Sequence, residues 1–172
     1  MQQSSRAEIL DRAEKAGYRY EHEYHGCSRC SLRAVQEQLG LPDGAVVRAA
    51  APLAGGIALS GDTCGAILGC LLAVGLATAD EDFENTTAFQ DALAAGYRCF
   101  RRLKEEFGKT TCRELQTERL GRYYDMTDRD QYEEFKNAGG YDKCSEIVAR
   151  ASRVAAEFIL EQWERAGREV PR

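Results

Sequence analysis

The sequence predicts an all-α fold, a compact bundle of about seven or eight helices, on three observations. Apolar residues recur at helical spacing along most of the chain, runs of alternating β-branched residues are absent, and glycine or proline stands where one helix would end and the next begin. The 172 residues suffice for one domain with its own core, and no shift in composition marks a second, so residues 1–172 are taken as a single unit.

Helices are predicted at about 4–16, 26–39, 43–54, 62–78, 86–107, 111–119, 128–137 and 142–165. The first is polar and amphipathic, without the basic start and apolar run of a secretory signal, so the chain is expected to be cytoplasmic. The second carries a Leu32, Val35 and Leu39 stripe, with Cys27 and Cys30 lying off it. Pro42 suits the first turn of the third, which the Gly55-Gly56 pair breaks. The fourth, DTCGAILGCLLAVGLAT, has a Cys64, Leu68, Leu71 and Gly75 stripe and a ridge of Gly61, Gly65, Gly69, Ala73 and Ala77 at every fourth position. Such a ridge permits close approach of another helix. Its apolar run is shorter than the roughly 20 residues a membrane span needs and leads into Asp80, Glu81 and Asp82, so it reads as a buried core helix.

In the fifth helix, Phe89, Leu93, Gly96, Phe100, Leu103 and Phe107 form the expected core stripe, and Gly108 follows its end. The sixth begins at KTTCRE, where Thr111 and Glu114 make a capping-box pattern, and Gly121 follows it. Gly139-Gly140 separates the seventh from the last, whose core stripe is Ile147, Val148, Ala151, Ala155, Phe158 and Ile159.

A formal charge of -5 disfavours nucleic acid and anionic membrane as partners. The seven cysteines are odd in number, so complete intramolecular pairing is impossible. In a reducing compartment they point to metal binding, transient redox chemistry or packing. Position discriminates among these, because the free N–H groups and dipole at a helix start stabilise a thiolate. Cys27, Cys64, Cys112 and Cys144 all fall in predicted first turns; Cys30 lies one turn further in; Cys70 and Cys99 lie in helix interiors and read as packing residues. Cys64 and Cys144 head inward stripes, whereas Cys27 and Cys30 face a cleft or solvent.

The order GCSRCSLRAVQEQLGL, GGIALSGDTCGAILGCLLAVGL, FGKTTCREL and YDKCSEIVARAS resembles the C_GCAxxG_C_C family of redox-active proteins over about residues 24–160. The resemblance carries the family's four cysteines onto Cys27, Cys64, Cys112 and Cys144, with Gly65, Ala66 and Gly69 completing the central motif. Here the order is Cys64-Gly65-Ala66, with Thr63 in place of the glycine that the family label puts before its cysteine. The resemblance implies a redox role and names no substrate.

Three functions fit these features. The first is thiol–disulfide exchange or electron transfer, with Cys64 paired to Cys112 or Cys144, or Cys27 paired to Cys30, and with a redox partner protein or small-molecule oxidant. It requires no cofactor. The second is a zinc or iron–sulfur site held by Cys27, Cys64, Cys112 and Cys144. Gly65 and Gly69 are the candidate cofactor-binding positions, and His25 is a weaker candidate ligand beside Cys27 and Cys30. The third is a non-enzymatic module of a redox complex. Whether the chain is an enzyme, and whether it forms a homodimer, the sequence leaves open.

Overall fold

The computed structural model describes residues 5–42 and 44–168, and within them the chain forms eight α-helices and no strand. They are α1 (Arg6–Tyr24), α2 (Cys27–Leu39), α3 (Ala45–Ala50), α4 (Gly65–Thr78), α5 (Thr86–Phe107), α6 (Cys112–Leu120), α7 (Arg129–Asn137) and α8 (Gly140–Arg165), α3 running on into a 3-10 turn at Ala51–Leu53. The fold is all-α, as predicted. The predicted start of the first helix at residue 4 lies outside the described residues. Ser5 caps α1, its hydroxyl accepting from the Glu8 N–H at 3.2 Å while the Glu8 carboxylate accepts from the Ser5 N–H at 2.7 Å.

Gly17 does not end α1. The helix continues to Tyr24, and the glycine lets it lie against α8, where a Cβ at this position would stand 2.7 Å from Ser152 Oγ and 3.0 Å from Val148 O. Antiparallel α1 and α8 form the largest helix pair, α2 packs between them and α4, and α5 lies against α4 and α8. The α8 residues predicted to face inward, Ile147, Val148, Ala151, Ala155, Phe158 and Ile159, are all buried. Salt bridges flank the α1–α8 seam, from Arg153 to Asp11 and Glu14 and from Arg6 to Glu161 and Glu164.

On α4 the small ridge faces the core. Gly65, Gly69 and Ala73 are buried, while Leu68, Leu71, Leu72 and Leu76 are only half-buried. At Gly69, α4 lies tight against α2: a Cβ there would fall 2.0 Å from Ser28 O. The α5 stripe departs from expectation. Leu103 and Phe107 are buried, but Phe89 and Leu93 are 64% and 62% exposed, and the inner face is instead Ala95, Cys99, Leu103 and Phe107. At ~100° per residue that face lies roughly a sixth of a turn from the predicted stripe. Small residues at Ala95 and Cys99 allow the close contact with α4 and α8 that Phe89 and Leu93 would prevent. No described helix is long and apolar enough to cross a membrane.

Candidate functional site

Four segments meet at one end of the bundle: the starts of α2, α6 and α8, and the loop leading into α4. They enclose a cavity of about 230 Å³ whose wall contains Cys27, Cys64, Cys112 and Cys144. Leu115, Met126, Phe135 and Ile147 make much of the remaining surface apolar, and Glu21 and Gln116 add polar groups.

Local sequence explains each placement. His25 (φ 55°) and Gly26 (φ 90°) turn the chain between α1 and α2, making Cys27 the first residue of α2. Cys64 is the N-cap of α4 and Cys112 the first residue of α6, with Thr111 capping as predicted. A short antiparallel bridge fixes these two starts together: the Cys64 N–H donates to Thr110 O at 2.8 Å, and the Cys112 N–H to Asp62 O at 2.7 Å. Cys144 lies one turn inside α8 rather than in its first turn, because the helix begins at Gly140. Gly140 opens the helix instead of breaking it, and the Phe135 ring occupies the space a Cβ would need, 2.3 Å away.

The segment before Cys64 has a conformation that the sequence did not reveal. Gly55, Gly56, Ile57, Ala58 and Leu59 are consecutive left-handed residues, with φ of 66°, 73°, 63°, 49° and 64°. Each non-glycine member costs roughly 1–2 kcal/mol. Backbone bonds offset part of this, including Ala58 N–H to Pro52 O at 2.7 Å and Asp62 N–H to Gly56 O at 3.0 Å. The turn puts Gly55 and Leu59 in the cavity wall.

The electrostatics separate Cys27 from the other thiols. The neighbouring Cys64 thiol and the backbone N–H groups of Gly55, Ser28 and Ala66 favour charge on its sulfur and bring its pKa down to about 7 against the opposing effect of burial. The neighbouring Cys27 and burial hold Cys64 well above the ordinary thiol range. Burial raises Cys112 to about 11, although Gln116 Nε2 donates to its sulfur at 3.3 Å. Cys144 is also raised, first by burial and then by Glu21. The expectation that a helix start would activate all four thiols is therefore corrected: at Cys64, Cys112 and Cys144, desolvation outweighs the helix terminus.

Cys27, placed off the core stripe by sequence, stands with the other three. Its sulfur meets Cys64, a pair the sequence did not favour, and not Cys30. Cys30 is buried outside the cavity wall, with its thiol 3.2 Å from His25 O and its pKa pushed up by burial. Cys70 and Cys99 are fully buried in the core. Gly65 and Gly69 offer no space to a cofactor: a Cβ on Gly65 would fall 2.4 Å from Cys27 Sγ, and Gly69 is pressed against Ser28 and Ser31. Their smallness serves sulfur placement and helix packing. Among the described residues no group of three or more His, Cys, Asp or Glu side chains is arranged to hold a metal ion. His25 stacks on Tyr141 with ring centroids 3.6 Å apart, and its Nδ1 lies 2.7 Å from Glu21 O.

Glu21 is the site residue that sequence reasoning missed. It is 2% exposed and lines the cavity, and its pKa is raised to about 9, first by burial and then by the charge of Cys27. In RYEHEY it looks like part of a solvated helical face. The signal lay in the row Ile9, Ala13 and Gly17, which reaches Glu21 at the next fourth position once α1 is continued past Gly17.

A sequence model of the family described as "Putative redox-active protein (C_GCAxxG_C_C)" matches residues 25–158, a span that holds all seven cysteines. Neither the curated proteins nor the solved structures yield a match.

Proposed function

Because this chain belongs to the C_GCAxxG_C_C family of redox-active proteins, we propose that it works by thiol–disulfide exchange, with Cys27 as attacking thiolate and Cys64 as resolving thiol. The observation that carries this is the juxtaposition of Cys27 and Cys64 in one cavity wall, with Cys27 Sγ packed against Gly65 at the start of α4 and nearby N–H groups favouring charge on it. A thiol with a pKa near ambient pH combines a useful thiolate fraction with retained nucleophilicity. Cys27 attacks one sulfur of a substrate disulfide and expels the other as thiolate. Cys64 then attacks Cys27, forming a Cys27–Cys64 disulfide and releasing the second substrate thiol. The substrate gains two electrons and the protein pair loses them; a reduced dithiol of a partner protein or small molecule restores the pair.

The test is disulfide mapping after brief oxidation of the reduced protein and acid trapping. A Cys27–Cys64 bond is expected, and Cys27→Ser should abolish reaction with the oxidant. Absence of that bond while the other thiols oxidise would remove the assignment.

A further inference from the structure

The Glu21 carboxyl has a geometry that a packing role does not explain. It is 2% exposed, with no salt-bridge partner among the described residues, in the wall of the cavity that holds Cys27, Cys64, Cys112 and Cys144. The Cys30 thiol donates to His25 O at 3.2 Å, and the Glu21 Oε2 is buried without a hydrogen-bond partner among the described residues. Burying an unsatisfied carboxyl oxygen is costly. The backbone beneath it is fixed, with Glu21 O accepting from the His25 N–H at 3.1 Å at the end of α1.

We infer that Glu21 is the proton donor and acceptor of the cysteine cavity: it protonates the thiolate that Cys27 expels from a disulfide, and takes the proton of Cys64 before Cys64 closes the second bond. This rests on the Cys27–Cys64 assignment above. In the first step the Cys27 thiolate forms a bond to one sulfur of R–S–S–R′ and the substrate S–S bond breaks. The departing R′–S⁻ takes the Glu21 proton and leaves as R′–SH, with Glu21 now a carboxylate. In the second step Glu21 recovers a proton from Cys64, the Cys64 thiolate attacks the Cys27 sulfur, and R–S⁻ departs. Two electrons pass to the substrate, and Glu21 ends as it began.

The order of ionisation supports this. Cys27, Cys30 and Arg29 from α2 act on the Glu21 carboxyl, its charge in turn raises Cys112 on α6 and Tyr141 and Cys144 on α8, and Arg119 and Lys143 are further cations in the cavity wall. With Cys27 at about 7 and Glu21 at about 9, the site near neutrality holds a thiolate beside a carboxylic acid. Two groups with ionisations pushed apart in this way supply a nucleophile and an acid at the same pH.

The experiment is single-turnover reduction of two small disulfides by the reduced protein and by Glu21→Gln, with Cys27–Cys64 formation followed by acid trapping. Bis(2-hydroxyethyl) disulfide expels a basic alkyl thiolate that needs a proton; an aryl disulfide such as 5,5′-dithiobis(2-nitrobenzoate) expels a stabilised thiolate that does not. In Glu21→Gln the first thiol release from the alkyl disulfide should slow by about a hundredfold while release of the first aryl thiolate changes little, so that aryl step also reports whether the variant keeps its fold and its Cys27 thiolate. The wild-type alkyl rate should rise with Cys27 ionisation and fall as Glu21 ionises, and the variant should lose the falling limb. Equal slowing of the first release with both disulfides, or no slowing with either, overturns the role of Glu21. Failure of the wild-type protein to form a Cys27–Cys64 bond with either disulfide overturns the assignment of the pair instead.

Discussion

Glu21 and Cys27 ionise in the reverse of the usual order, the thiol at about 7 and the carboxyl at about 9, and this fixes a pH dependence of stability. Glu21 is raised above its ordinary value of 4.5, so between about 4.5 and 9 the unfolded chain releases a proton that the folded chain keeps. Stability from this group is complete at low pH and declines as pH rises through that window. Cys27 acts oppositely and higher: its pKa is depressed, so its contribution grows from about 7 to 9 and is lost as pH falls through about 7. Glu21→Gln should therefore flatten the fall in urea midpoint between about pH 5 and 6.5, below the Cys27 transition. An unchanged slope in that range would show that Glu21 ionises normally. At this scale the sequence named the four cysteines that meet but misjudged their ranking. The inward stripes of Cys64 and Cys144 and the cap before Cys112 set these three above Cys27, and they do not decide ionisation because desolvation at a residue depends on neighbours distant in sequence. Glu21 was hidden for the same reason.

Among the elements, α4 ties packing to chemistry through its glycines. Gly65→Ala would place a Cβ 2.4 Å from Cys27 Sγ and 3.0 Å from Leu53 O, so the sulfur must leave its N–H donors. The expected result is a loss of about 1–3 kcal/mol in stability and a rise in the Cys27 pKa toward the ordinary thiol value, read from the pH profile of iodoacetamide alkylation. Gly69→Ala sets its Cβ against Ser28 O at 2.0 Å, so it should destabilise at least as much by forcing α2 and α4 apart. Gly75→Ala meets nothing within 4 Å of the new Cβ. In the interior of a helix it should stabilise by about 0.4–1 kcal/mol, and a chemical melt of the three variants distinguishes close-packed glycine from incidental glycine. Helix order and most boundaries could be read from the sequence because caps such as Thr111 and stops such as Gly108 and Gly121 act locally. The left-handed turn over 55–59 could not. Only Gly55 and Gly56 advertise positive φ, and Ile57, Ala58 and Leu59 are carried into it by backbone bonds to Leu53, Pro52 and Ala54 respectively.

For the whole molecule, the Cys27–Cys64 bond would link the start of α2 to the cap of α4 and close a loop that contains α2, α3 and the left-handed turn. Constraining a loop of this length in the unfolded chain is worth about 4 kcal/mol on the chain-entropy scale. The oxidised protein should therefore melt roughly 10 °C above the reduced one. The gain depends on pH, since oxidation also removes the stability that Cys27 ionisation gives the reduced form. That contribution is absent below about pH 7 and grows up to about 9, where an unfolded thiol also ionises. The difference in melting temperature between oxidised and reduced protein should thus be largest near pH 6 and shrink toward pH 8, which paired calorimetric scans at the two pH values would measure. Cys27→Ser should remove both the difference and its pH dependence, since it can neither form the bond nor ionise. A difference that did not change with pH would locate the thiolate outside this pair, because the cross-link term itself carries no proton.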